Sequence, residues 1–304
     1  MFHKAVGSVL RDYQLWLMLV PAAAVIFIFS YLPMYGVQLA FRDFDFTKGF
    51  LGGNWAGLKY FRQYFNSPMF IATIRNTFII AFTSIIFGFP VPILIALLFN
   101  QIRQQKLKRF LQTVVYIPYF ISTVVMVALI SILCSPNNGI VSHALKAIGL
   151  ITQDLNLVGN PQTFVPLYVI SGIWQTCGWN SIIYFAALST VDSQLYDAAK
   201  IDGANRLRII WHIELAALVP TIVILLILNM GGILTVGFEK VFLMQNGLNI
   251  AVSEVISTYT YKIGLRSNQF SLGSAIGLFN TAVNFAFLTA FNIIAKKTSN
   301  ISLL

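Results

Sequence analysis

The sequence predicts an all-α membrane protein with six transmembrane helices. Of its 304 residues, 57% are hydrophobic and only 10% are charged, whereas a soluble globular domain carries about 25% charged residues. A helix needs about 20 mainly apolar residues to cross the hydrocarbon core of a bilayer. Uncharged stretches long enough for this occur six times, at 13–41, 76–102, 110–145, 155–191, 215–238 and 267–295.

Each stretch has a denser apolar centre, which sets the approximate limits of the predicted helix. We expect a membrane domain at 74–295. It follows a segment at 1–73 that holds an N-terminal tail, the first helix and an external interfacial stretch, and it precedes a cytoplasmic tail at 296–304. The six predicted spans are 15–38, 74–99, 110–133, 165–189, 216–237 and 272–295.

The net charge of +10 reflects membrane orientation rather than nucleic-acid binding, because the basic residues cluster at the ends of spans. Cytoplasmic loops of membrane proteins carry an excess of Lys and Arg. The clusters therefore predict that both termini and the loops 2–3 and 4–5 are cytoplasmic. The clustered residues, 11 of the 20 Lys and Arg, are Lys4, Arg11, Arg103, Lys106, Lys108, Arg109, Lys200, Arg206, Arg208, Lys296 and Lys297.

The first external loop, 39–73, contains the stretch "NWAGLKYFRQYFNSP". Leu58, Phe61 and Phe65 follow each other at helical spacing, with Tyr60 and Tyr64 beside them. This pattern is typical of an interfacial helix in the headgroup layer, where aromatic side chains are enriched. Stacking of these rings on sugars is the alternative interpretation.

Several spans contain small and amide-bearing residues. Gly273 and Gly277 form a small-xxx-small pair that permits close helix contact, and buried amides can bond across such contacts. Packing is one interpretation of the amides, and a polar translocation path is the other. No span carries an ionisable group near its centre, which disfavours an ion relay. The candidate path-lining residues are Asn76, Gln175, Asn180, Asn229, Asn280 and Asn284.

The sequence lacks the usual signatures of catalysis. It has no G-x-x-x-x-G-K-[ST] phosphate loop and no H-E-x-x-H, and its three histidines are isolated. Cys134 and Cys177 match no paired-thiol or zinc spacing. We therefore expect no metal, no cofactor and no enzymatic activity in this chain, so energy for uphill transport has to come from another subunit.

A charged interval, "DSQLYDAAKIDGANRLRIIWHIEL", lies between two apolar runs. Asp192 or Ser193 is a suitable N-cap, and Gly203 is a suitable left-handed residue after the helix end. The pattern predicts a short helix at 193–203 on the cytoplasmic face. Ala198 and Ala199 leave one side of it small, which suits docking into a partner's groove, although an ordinary interfacial helix has the same appearance.

The interval resembles the E-A-A-x-x-x-G-(nine residues)-I-x-L-P signature of bacterial ATP-binding-cassette (ABC) importer permeases. Two departures are visible: Asp197 replaces the family's Glu, and Ala216 replaces its Pro. The resemblance implies that the helix 193–203 couples the permease to its ATPase. The matching residues are Asp197, Ala198, Ala199, Gly203, Ile213 and Leu215, and the implied coupling residues are Tyr196, Asp197, Ala198, Ala199, Asp202, Gly203 and Ala204.

The "IDGA" extension and "NWAGLKYFRQYF…IRNTF" resemble the carbohydrate-uptake branch of these permeases. "PTIVILLILNMGGILTVGFEKVFLMQN" is similar to its polysaccharide and complex-oligosaccharide permeases. The resemblance implies a type I importer core in a bacterial cell membrane. The implied partners are a second homologous permease, two ATPase subunits holding ATP-Mg, an extracellular sugar-binding lipoprotein, an oligosaccharide and membrane lipid. Candidate contacts with the binding protein, by location alone, are Glu239, Gln245 and Asn246.

Two other interpretations of the sequence stay open. One is a self-sufficient membrane protein, such as an ion-coupled carrier or a membrane enzyme. The other is an ABC permease for a non-sugar solute, such as a peptide or a phosphonate. Neighbouring genes for a second permease and a binding lipoprotein discriminate the first of these from the importer.

The predicted orientation can be tested by labelling single cysteines in intact cells, in a background without Cys134 and Cys177. A cysteine near Gly53 should react with an impermeant thiol reagent from outside, because 39–73 is predicted to be external. A cysteine near Asn205 should react only after the cells are permeabilised. Labelling near Asn205 alone in intact cells would reverse the predicted topology.

Overall fold

The computed structural model describes residues 13–49, 52–136, 139–149 and 156–299. Within these ranges the regular structure is helical apart from two isolated β-bridges, so the predicted all-α fold is confirmed for the described residues. In chain order the helices are α1 (Tyr13–Phe41), α2 (Lys59–Phe65), α3 (Pro68–Gln101), α4 (Gln105–Phe120), α5 (Thr123–Leu133), α6 (Ile140–Ala147), α7 (Pro161–Ser189), α8 (Ser193–Ile201), α9 (Arg206–Gly231), α10 (Phe238–Met244), α11 (Ile250–Ser253), α12 (256–266) and α13 (Phe270–Ser299).

Four of the described helices, α1, α3, α9 and α13, are long and apolar enough to cross a membrane. They match the predicted spans one, two, five and six. Predicted span four falls on α7, which has 29 residues but contains polar side chains such as Gln175 and Asn180 and is not among the helices that qualify as candidate spans. The predicted termini fall partly on 1–12 and 300–304, which lie outside the described residues.

Predicted span three, 110–133, is not one straight helix. It consists of α4 and α5, which meet at an angle of 96°. Pro118 lies just before the break, and it has no backbone N–H to continue a helix. Ser122 then begins α5 as its N-cap, and its hydroxyl accepts a hydrogen bond from the Val125 N–H at 3.3 Å. Counting this bent pair as one span gives five candidate spans among the described residues.

Helix α7 is the centre of the larger of two compact units, which comprises Pro68–Tyr259 and the described residues from Asn280. It packs against α3, α4 and α9. Gly178 allows the contact with α4, because a Cβ there would lie 2.1 Å from the Val115 carbonyl oxygen. One buried apolar cluster joins α3, α7 and α9, through Ile93, Ala96, Leu97, Tyr184, Leu188 and Leu218.

The smaller unit comprises the described residues up to Ser67 together with Thr260–Phe279. The stretch predicted to be an interfacial helix forms the helix α2, and its Tyr64 ring is buried against Phe279 at 5.8 Å between centroids. The close backbone contact predicted at Gly273 is also found. A Cβ on this residue would lie only 2.7 Å from the Gly264 Cα. Both observations favour packing for these residues.

A buried carboxylate joins three elements of the larger unit. Glu214, at the beginning of the apolar part of α9, is 1% exposed. It accepts hydrogen bonds from Asn100 Nδ2 at 2.6 Å and from Gln101 Nε2 at 2.9 and 3.0 Å, both at the end of α3. Asn100 Nδ2 also donates to the Tyr196 hydroxyl of α8 at 3.5 Å. We call Glu214, Asn100, Gln101 and Tyr196 the Glu214 cluster.

The Glu214 cluster holds its charge with amides rather than with a cation. Among the described residues no Lys or Arg nitrogen lies within 4.0 Å of Glu214. A buried carboxylate is costly unless donors replace its hydration, and charge-assisted hydrogen bonds are the strongest donors available. Removing the carboxylate therefore leaves the two half-buried amides of Asn100 and Gln101 without this acceptor.

We predict that Glu214→Ala lowers the free energy of unfolding by about 1–3 kcal/mol, because the half-buried amides of Asn100 and Gln101 lose a charged acceptor and carry part of their desolvation cost. Thermal unfolding of the purified protein in detergent measures this change. Asp202→Ala is the matched control, because it removes an exposed carboxylate from the same charged interval. This variant should unfold like the wild type. Equal melting temperatures for the two variants would contradict the proposed role of the Glu214 cluster.

Candidate functional site

Helix α8 forms within the charged interval, where the sequence predicts a short helix. The Asp192 carboxylate caps it by accepting from the Gln194 N–H at 2.9 Å. At the other end Gly203 has φ +72°. The Gly203 N–H donates to the Lys200 carbonyl, and the Ala204 N–H donates to the Ala199 carbonyl at 2.9 Å. These two bonds make a Schellman motif, which requires the left-handed residue that glycine supplies.

One side of α8 packs on the molecule and the other is exposed. Tyr196 and Ala199 are half-buried, whereas Asp197, Ala198 and Gly203 are exposed. Space around Gly203 is open, since no atom lies within 4 Å of the position of a Cβ on it. The exposed side therefore presents a small surface beside charged groups.

Two polar contacts set the properties of α8. Asp197 and Lys200 form an ion pair at 2.8 Å, but both side chains are more than half exposed, so this pair adds little stability. Burial, followed by the negative charge of Glu214, raises the pKa of the Tyr196 phenol. Tyr196 thus stays protonated and can take part in the hydrogen-bonded Glu214 cluster, which links α8 to α3 and α9.

A cavity of about 980 Å³ lies beside α7. Three of the six candidate path-lining residues, Gln175, Asn180 and Asn229, line it. The Trp179 ring belongs to the same lining. The amides and the aromatic ring in this lining offer hydrogen bonds and a flat apolar face, which are groups that suit a polyhydroxylated ligand.

The other three candidates, Asn76, Asn280 and Asn284, are not among the residues that line this cavity. Asn76 is 2% exposed and donates to the carbonyls of Ala251 and Glu254 at 2.9 and 3.0 Å. Asn284 accepts from the Leu234 N–H at 2.9 Å. The prediction of one path lined by all six therefore stays a prediction for these three, and Asn76 and Asn284 bond backbone groups near the ends of helices, which favours the packing interpretation for those two.

The three candidate contacts for a binding protein have different surroundings. Glu239 is exposed and lines the cavity. Gln245 and Asn246 are half-buried, and their amides donate to the carbonyls of Ser253 and Val158 at 2.9 and 3.3 Å. Of the three, Glu239 has the side chain that is most accessible to a partner.

The sequence pattern assigns no role to Glu214 or to Lys240. Lys240 is 8% exposed and also lines the cavity. A signal exists for both residues, since each is a charged side chain at the edge of an apolar run. Within the described ranges, no three His, Cys, Asp or Glu side chains are arranged to hold a metal ion.

Comparisons with known proteins agree with this architecture. Residues 88–300 match the family described as "Binding-protein-dependent transport system inner membrane component". The Bacillus subtilis (strain 168) polygalacturonan/rhamnogalacturonan transport system permease protein YteP is 41% identical over 95% of this chain and 90% of the relative. Protein LplB of the same organism is 38% identical over 94% of this chain and 90% of the relative.

A solved structure is also similar. One chain of a bacterial ABC transporter involved in the import of the acidic polysaccharide alginate has a TM-score of 0.88 and 35% identity, and the match covers 97% of this chain and 99% of that chain. The same transporter in complex with an alginate pentasaccharide-bound periplasmic protein gives a TM-score of 0.87 with 35% identity over 98% and 99% of the two chains. The chain described here belongs to the family of binding-protein-dependent transport system inner membrane components.

Proposed function

We propose that this chain is a membrane permease subunit of an ATP-driven, binding-protein-dependent importer of oligosaccharides or polysaccharide fragments. The geometry of α8 carries the proposal: both ends of the helix are capped, and its small, exposed side is available to a partner. The named functions of the relatives support the substrate class, because YteP is a polysaccharide transport permease and the solved transporter imports alginate.

In this proposal α8 docks into a groove of an ATPase subunit. Closure of the ATPase dimer moves α8, and the Glu214 cluster passes the movement to the end of α3 and the beginning of α9. The cluster suits this role because Asn100 of α3 bonds both Tyr196 of α8 and Glu214 of α9. The cavity beside α7 is the part of the translocation path that this subunit contributes.

The assembly is completed by a second homologous permease, two ATPase subunits that bind ATP-Mg, and an extracellular sugar-binding lipoprotein. Six spans with both termini in the cytoplasm put α8 on the ATPase side of the bacterial cell membrane. The bent α4–α5 pair and α7 supply the third and fourth spans. Glu239, Gln245 and Asn246 then lie on the side of the binding protein.

The function is tested by reconstituting the chain in proteoliposomes, first alone and then with its co-purifying subunits. The chain alone should hydrolyse no ATP, because its sequence contains no phosphate loop. The complete assembly with binding protein should take up oligosaccharides only when ATP is present. ATP turnover by the clean isolated subunit, or uptake driven by an ion gradient without ATP, would contradict the proposal.

Gly203→Val tests the role of α8. A β-branched residue at positive φ costs about 1–2 kcal/mol in the backbone, and its side chain enlarges the docking surface. We expect normal membrane levels, weak co-purification of the ATPase and little uptake. Asp197→Ala should have a milder effect, because it removes one polar contact and leaves the backbone unchanged.

Gly149→Val is the matched control for Gly203→Val. Gly149 also has positive φ, +75°, and no atom within 4 Å of the position of a Cβ, but it lies at the end of α6. It should carry similar backbone strain and still bind the ATPase and transport. Normal uptake by Gly203→Val at normal expression would remove the coupling role from α8.

A further inference from the structure

Lys240 is a buried cation on α10. Its side chain is 8% exposed, and Nζ donates a hydrogen bond to the Tyr168 carbonyl oxygen of α7 at 2.8 Å. The Tyr168 ring centroid is 4.7 Å from Nζ. An ammonium group has three N–H donors, so this neutral carbonyl uses only one of them.

Lys240 has no anionic partner among the described residues, since no Asp or Glu oxygen there lies within 4.0 Å of Nζ. Glu239 precedes it on α10 and is exposed. Tyr168 is the ionisable group that faces Nζ from α7. Helix α5 also packs against α10, but it contains no ionisable side chain. Burying a charge without a counter-ion costs free energy. An anion with good geometry offsets this cost.

The cavity beside α7 gives an anion access to this ammonium. Lys240, Gly172 and Gln175 all line it. A Cβ on Gly172 would lie 3.3 Å from Nζ, so the glycine leaves the approach to the cation free of a side chain. Amides and the Trp179 ring lie on the same lining, where sugar hydroxyls and ring faces can be accommodated.

We propose that Lys240 binds a carboxylate of the transported oligosaccharide, so that the cavity of this subunit selects sugar acids over neutral sugars. This inference rests on the proposed function and adds a substrate class and a binding residue to it. The carboxylate supplies the missing counter-ion and accepts hydrogen bonds from the remaining N–H groups of the ammonium. Such charge-assisted hydrogen bonds are stronger than bonds between neutral groups. Neutral sugars offer hydroxyls alone.

The experiment compares ATP-driven uptake of an oligouronate and of a neutral oligosaccharide of the same length, by the complete importer in proteoliposomes. Lys240→Met should raise the KM for the oligouronate about tenfold, the equivalent of one charge-assisted hydrogen bond, and change the KM for the neutral oligosaccharide much less. Lys240→Arg should keep much of the preference. Lys48→Met is the charge-matched control. It removes the same charge from an exposed lysine that is distant in the sequence from the residues lining the cavity.

The pH dependence of the unmodified importer gives a second measurement that does not depend on folding of a variant. Burial lowers the pKa of Lys240 to about 8. The charged form, present below this pKa, is the one that attracts a carboxylate. Uptake of the oligouronate relative to the neutral sugar should therefore fall as the pH rises from about 7 to about 9, and this fall should be absent in Lys240→Arg.

The outcomes are distinguishable. Equal loss of both sugars in Lys240→Met, together with a pH-independent ratio in the wild type, would mean that Lys240 only supports the Tyr168 carbonyl. Unchanged oligouronate uptake in Lys240→Met would also overturn the proposal. Absence of ATP-driven uptake of either sugar by the wild type would overturn the proposed function, and this inference with it.

Discussion

The hydrocarbon core of a membrane offers no hydrogen bonds, so each backbone N–H and C=O within it has to be bonded by the protein itself. Continuous helices meet this requirement along most of the chain. Breaks in helices do not, and two of the amide side chains described above bond backbone carbonyls at such breaks. Gln175 donates to the Ile121 carbonyl at the bend between α4 and α5 at 2.7 Å, and Asn76 bonds the two carbonyls near the end of α11.

The same constraint explains what the sequence predicts well. Apolar length and composition locate α1, α3, α9 and α13, because crossing a fixed thickness of lipid requires a minimum number of apolar residues. Local rules for caps locate α8, where Asp192 and Gly203 act as expected. These features depend on residues that are close together in the chain.

Features that depend on distant residues were less predictable. An amide that lines a cavity and an amide that bonds a broken helix look alike in the sequence, so Asn180 and Asn76 could not be distinguished. Glu214 requires Asn100 and Gln101, more than a hundred residues earlier, and no local pattern reveals that pairing. Pro118 was the available sign of the bend after α4, but proline is tolerated within membrane helices and so does not by itself predict a break.

The capped ends of α8 have a consequence for how fast a partner can bind. Because Asp192 and the Schellman bonds at Gly203 and Ala204 complete the helix within its own segment, α8 is preorganised and has no folding step to undergo at the moment of encounter. A segment that folds on binding pays its ordering entropy then, which weakens the complex. In the docking that we propose, association would be governed by collision and by charge, because Asp197, Lys200 and Asp202 are exposed. The rate of assembly should accordingly respond to ionic strength more than to agents that stabilise helices.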